Sequence, residues 1–99
     1  MSEKTLKDIE RKTTPIFHSY GVLRAGLFGS AARGEDKKES DYDFLVEFGP
    51  KATLFTLGGL KYDLEKTLKR EVDVVSTGAV KQSISKNIEK DLINFYEKR

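Results

Sequence analysis

Residues 41–48 read Asp-Tyr-Asp-Phe-Leu-Val-Glu-Phe, and this run narrows most sharply what the chain can become. Large apolar residues recur at every second position, Tyr42, Phe44, Val46 and Phe48, which is the period of a half-buried β-strand. With those four turned to a core, Asp41 and Asp43 fall together on the opposite face. A strand rises about 3.3 Å per residue, so their backbones would stand about 6.7 Å apart. Two carboxylates about 6 Å apart repel by roughly 3 kcal/mol at an effective dielectric near 20. Asp is also a poor strand former. Either both acids face solvent and solubilise an alternating strand, or a bound divalent cation offsets their repulsion.

The rest of the chain alternates helical and extended signals. Residues 3–20 carry Leu6, Ile9, Ile16, Phe17 and Tyr20 at helical spacing, and Gly21 stops the pattern. Thr13-Thr14-Pro15 predicts a kink there, or a cap before a second helical piece. Residues 22–28 read as a strand, 29–34 as a turn into a short helix, and 35–40 as a charged loop. Leu54, Leu57, Leu60, Leu64 and Leu68 stripe a helix over 53–69, with Gly58-Gly59 as a candidate break. Glu71-Val72-Asp73-Val74-Val75 reads as a short strand, and Val80, Ile84, Ile88, Leu92 and Tyr96 stripe a closing helix. The order α-β-α-β-α-β-α predicts an α/β fold, with helices packed on a small sheet.

Composition limits the chemistry. The 99 residues suit one domain, spanning 1–99, with a single small core. The net charge of +2 is spread over interleaved Lys and Glu, so no basic face points to direct nucleic-acid binding. Cysteine is absent and His18 is the lone histidine, which excludes thiolate catalysis and His-rich metal sites. His18 reads as an ordinary helix-face residue and Lys37 and Lys38 as solvated loop charges. Carboxylates remain as ligands, and they favour a hard cation such as Mg2+ over zinc. No apolar run approaches a membrane span, and the first residues lack a signal peptide's hydrophobic stretch, so a soluble cytoplasmic protein is expected.

Three further features gain weight only in combination. Asp73 interrupts a short apolar strand. If that strand lies beside residues 41–48, three carboxylates converge in a way that suits two Mg2+ ions and in-line phosphoryl chemistry. Gly29-Ser30 joins a strand to a helix, where exposed amides and a hydroxyl favour an anion, although an ordinary turn with an N-cap serine reads the same. Arg33 lies about one turn beyond Ser30 and suits either a phosphate or a surface ion pair.

Taken together, Gly29-Ser30, ten intervening residues and Asp41-Tyr42-Asp43 resemble the signature of the polymerase-β-like nucleotidyltransferase superfamily. The surrounding Phe28-Gly29-Ser30-Ala31-Ala32-Arg33-Gly34 and Ser40-Asp41 resemble its minimal members, the MNT or MntA-like antitoxins. Tyr42 and Phe44 stand where Ile and Leu are usual, and Ala31 replaces a bulkier residue. The resemblance implies a small mixed sheet with helices packed on it. It implies Asp41 and Asp43 as ligands of both Mg2+ ions, Asp73 as a ligand of the ion that activates the acceptor, and Gly29 and Ser30 as grips on the β- and γ-phosphates. It further implies ATP as donor and a tyrosine of a HEPN-domain toxin as acceptor.

Three functions follow as expectations. The first is a protein adenylyltransferase antitoxin. The second is a nucleotidyltransferase acting on an RNA end or a small hydroxyl compound with a partner subunit. The third is a toxin-binding module without catalysis, which the retained acids disfavour. So small a domain offers little wall for a second substrate, so the acceptor is expected on a partner protein or a second copy of the chain.

Overall fold

The computed structural model describes residues 3–29, 42–79 and 92–98. Helix α1 (Glu3–Ser19) leads into strand β1 (Val22–Phe28). Strand β2 (Tyr42–Phe48), helix α2 (Leu54–Leu68), strand β3 (Val72–Ser76) and strand β4 (Ile93–Glu97) follow in chain order. The strands form one sheet ordered β3-β2-β1-β4. Strand β1 is antiparallel to both neighbours, while β2 and β3 run parallel, so this is an α/β fold on a mixed sheet. A parallel pair requires a crossover, and α2 provides it.

The alternation read in residues 42–48 holds. Tyr42, Phe44 and Val46 are buried, and Asp43, Leu45 and Glu47 occupy the other face. Phe17 of α1 and Leu60 and Leu64 of α2 are fully buried against Val22, Leu27 and Phe44 of the sheet. Phe17 meets Phe44 edge-on at a centroid separation of 5.9 Å. Each such side chain contributes about 1.5–3 kcal/mol on burial.

Neither α1 nor α2 is broken where the sequence offered a break. Pro15 sits inside α1 without ending it. Just before it, the Thr13 hydroxyl donates to the Ile9 carbonyl at 2.8 Å and the Thr14 hydroxyl to the Glu10 carbonyl at 2.7 Å. The first of these bonds satisfies a fully buried hydroxyl. Helix α2 runs through Gly58-Gly59 because its ends are well set. Thr53 and Thr56 cap one another at the start, and Lys69 closes the end, its amide donating to the Glu65 carbonyl at 2.8 Å.

The closing helix requires a correction. Residues 80–91 lie outside the described residues, but Ile93–Glu97 is strand β4, paired with β1, and not the end of a helix. The four-residue spacing of Leu92 and Tyr96 imitates a helical stripe. However, Ile93-Asn94-Phe95-Tyr96 is rich in β-branched and aromatic side chains, and β1 has an edge to pair with. The register slips between Ala25 and Gly26, which leaves Phe95 as an extra residue in β4. Adjacent residues of a regular strand face opposite ways, yet Phe95 and Tyr96 both reach Phe17, at centroid separations of 6.1 and 5.5 Å. Gly26 permits the approach: a Cβ there would stand 2.8 Å from the Ile93 carbonyl oxygen. Among the described residues no helix is long and apolar enough to cross a membrane.

Candidate active site

One end of the sheet gathers the close of β1 and the starts of β2 and β3. The register sets Phe28 opposite Asp43, and Asp43 opposite Asp73 in the parallel pair. Paired residues of neighbouring strands share a face at about 4.8 Å strand spacing. Asp43 is half-buried and Asp73 exposed, so both acids stand side by side on the face opposite Tyr42, Phe44 and Val46.

Gly29 follows β1 directly, with φ +80°. Only glycine adopts that conformation without strain. It also touches the acid pair, because a Cβ at Gly29 would overlap the Asp43 carboxylate. The Gly29 backbone thus passes directly against the Asp43 carboxylate, where a side chain has no room. Asp41, Ser30 and Arg33 lie outside the described residues.

A cleft of about 610 Å³ opens at this place. Phe28, Asp43, Asp73, Val74 and Val75 bound it from the sheet, and Leu54, Leu57, Gly58 and Lys61 bound it from α2. Among the described residues no group of three His, Cys, Asp or Glu side chains is placed to hold a metal. Asp43 and Asp73 do form a pair of hard oxygen donors on adjacent strands at an open cleft, and such donors suit Mg2+.

Sequence reasoning missed the supports around the pair. The Arg70 guanidinium lies over the Tyr42 ring, 4.4 Å from its centroid, and steadies the residue between the two strand acids. Nothing in the sequence links Arg70 to an aromatic so far away in the chain. The Tyr20 hydroxyl donates to Asp63 and so ties the α1–β1 turn to α2. That hydrogen bond to the carboxylate, with some desolvation, holds the Tyr20 phenol above its ordinary pKa of 10.0. Lys61, an unremarked helix lysine, turns out to line the acidic cleft.

The sequence profile of the family described as "nucleotidyltransferase domain" matches residues 4–97. A candidate protein adenylyltransferase of Methanocaldococcus jannaschii is 48% identical over 75 residues, covering 76% of this chain and 81% of the relative. The protein adenylyltransferase MntA of Thermococcus cleftensis is 34% identical over 97 residues, covering 94% of this chain and 98% of the relative. The solved structure of a candidate minimal nucleotidyltransferase superposes with a TM-score of 0.81 at 32% identity, covering 94% of this chain and 95% of that one. A chain of the complex between the MNT antitoxin and the tri-AMPylated HEPN toxin of Shewanella oneidensis shares the fold, with a TM-score of 0.72 at 16% identity over 93% and 72% of the two chains. This chain belongs to the nucleotidyltransferase domain family, and it is a nucleotidyltransferase.

Proposed function

We propose that the chain moves AMP from ATP to a hydroxyl of a partner protein, a tyrosine of a HEPN-domain toxin, and so acts as that toxin's cytoplasmic antitoxin. The observation that carries this reading is the pairing of Asp43 with Asp73 beside Gly29 at an open cleft. Similarity to a relative named as a protein adenylyltransferase, and to a fold found in complex with an AMPylated HEPN toxin, supports the choice of donor and acceptor.

In this reading Asp43 and Asp73, together with Asp41, hold Mg2+. Bound Mg2+ supplies neutralising charge to the triphosphate and lowers the pKa of an acceptor hydroxyl. The residues of the chain orient the reactants. Gly29 keeps the end of β1 free of a side chain, so the triphosphate reaches the acid pair. Ser30 and the following amides bind phosphate oxygens, and Arg33 offsets their charge. The acceptor oxygen forms a bond to the α-phosphorus, the bond between the α-phosphorus and its bridging oxygen breaks, and pyrophosphate leaves. The hydroxyl proton passes to a carboxylate or to water.

The test adds the chain and α-labelled ATP with Mg2+ to the HEPN-domain protein of the same organism, then weighs that protein intact. A gain of one or more AMP units is expected, and the Asp43→Asn, Asp73→Asn double variant should produce none. Label transfer that survives in the double variant would remove the acid pair from the chemistry.

A further inference from the structure

Among the described residues, helix α2 presents an outward face that no other element covers. Leu54, Phe55 and Tyr62 are 85%, 91% and 65% exposed, and they are the large hydrophobics left most open to solvent among the described residues. They lie along one side of α2 with Gly58, Lys61 and Lys66, all exposed. Contiguous exposed apolar residues on a helix mark a contact site more often than scattered ones do.

Three observations say what covers this face. It is continuous with the cleft, because Leu54, Gly58 and Lys61 also bound the space that holds Asp43 and Asp73. Its charge is one-sided. The acids of α2 turn elsewhere: Asp63 accepts from Tyr20, and the Glu65 carboxylate accepts the Val72 amide at 3.1 Å. Lys61 and Lys66 are the exposed charged residues of the outward face, and Glu65 between them is half-buried. Gly58, finally, has no packing reason among the described residues. A Cβ there would meet nothing within 4 Å, whereas one at Gly59 would press on the Tyr20 ring at 3.0 Å. A helix-interior glycine lowers helix stability, so a gap at the centre of this face suits a side chain from outside.

Strand order assigns the side. Strand β2 carries Asp43 between β1, which ends at Gly29, and β3, which carries Asp73. Helix α2 packs against β3, on the far side of Asp43 from Gly29. The geometry points to the outward face of α2 as the docking surface for the acceptor protein, which meets it with an apolar, acid-rimmed surface and presents its hydroxyl to the cleft. This rests on the adenylyltransferase reading above and gives the acceptor a place.

Photo-crosslinking in the cell that makes the protein tests it. A benzophenone amino acid replaces Tyr62 in one variant and Lys4 of α1 in a control, and α-labelled ATP marks modified proteins in the same lysate. The protein crosslinked from position 62 should be the protein that carries AMP, and position 4 should not capture it. Purified Phe55→Glu should then label that protein about tenfold or more slowly while binding Mg-ATP as the unaltered chain does. Crosslinks to RNA, to a second copy of the chain or to an unlabelled protein overturn the proposal, as does no crosslink at all. Unchanged labelling by Phe55→Glu also overturns it. A chain that labels no protein defeats the adenylyltransferase reading itself, whatever position 62 captures.

Discussion

Asp43 and Asp73 are Cα partners across the parallel β2–β3 ladder, so two carboxylates stand abreast on one face of the sheet. Directly opposed like charges destabilise a sheet. In EDTA, Asp73→Asn is therefore expected to raise Tm slightly, and in Mg2+ the same variant should lose AMP transfer. Mg2+ should raise the Tm of the unaltered chain, since a ligand that binds only the folded state stabilises it. The same addition should do little for Asp73→Asn. Thermal scans with and without Mg2+ decide this, and an unaltered chain indifferent to Mg2+ counts against a cation at the pair.

Gly29→Ala is predicted to damage both stability and transfer. The backbone at φ +80° is strained for any residue with a Cβ, and that atom would overlap the Asp43 carboxylate. Strain of this kind costs about 1–3 kcal/mol. The displaced carboxylate should lower kcat more than it raises the KM for ATP. Urea denaturation alongside initial-rate kinetics separates the two effects. A variant of normal rate would mean that Asp43 does not need its present position.

Much of this was legible in the sequence, for identifiable reasons. A period-two run between turn residues has one sensible use, and Tyr42, Phe44 and Val46 are buried as the alternation required. The leucine stripe of α2 is similarly unambiguous, and capping by Thr53 and Thr56 outweighs the paired glycines. The end of the chain misled because Leu92 and Tyr96 also satisfy a helical spacing. What decided against a helix at 93–97 was long-range: the edge of β1 and the Phe17 ring, to which a bulge brings both Phe95 and Tyr96. Of the site, the pairing of Asp43 with Asp73 depended on strand order, which residue types near Asp73 hint at and only the fold supplies. Lys61 and Arg70 carried no signal, since the acids of the cleft that Lys61 lines and the Tyr42 ring under Arg70 lie on other elements.

The Tyr20–Asp63 hydrogen bond predicts an alkaline weakness. The folded-state pKa of Tyr20 is raised above 10.0, first by that bond and then by desolvation. A group whose folded pKa is raised contributes stability that is complete below its unfolded pKa and lost as pH rises through the folded value. Stability from this contact should therefore hold at neutral pH and decline above about pH 10. Tyr20→Phe should lower stability at pH 7 and flatten the alkaline decline. Urea midpoints across that range check it, and parallel curves for the two proteins would mean that the bond contributes nothing.

Glycines 26 and 58 should respond to alanine with opposite signs, for reasons visible in their surroundings. A Cβ on Gly26 would lie 2.8 Å from both the Ile93 carbonyl oxygen and a Leu92 methyl, so β4 would have to move away from β1. Overpacking of this sort costs about 1–3 kcal/mol. The bulge that brings Phe95 and Tyr96 to Phe17 sits beside that contact, so loss of the aromatic packing should accompany the change. At Gly58 an added methyl meets nothing among the described residues and the helix gains a better former, so Gly58→Ala should stabilise the isolated chain by about 0.5–1 kcal/mol. If the outward face of α2 receives the acceptor protein, that more stable variant should label the acceptor more slowly, because the methyl fills the gap at the centre of the face. Denaturation midpoints of the two variants, with labelling rates for Gly58→Ala, test both halves. A Gly58→Ala chain that is more stable and labels at the normal rate would assign that glycine no part in docking.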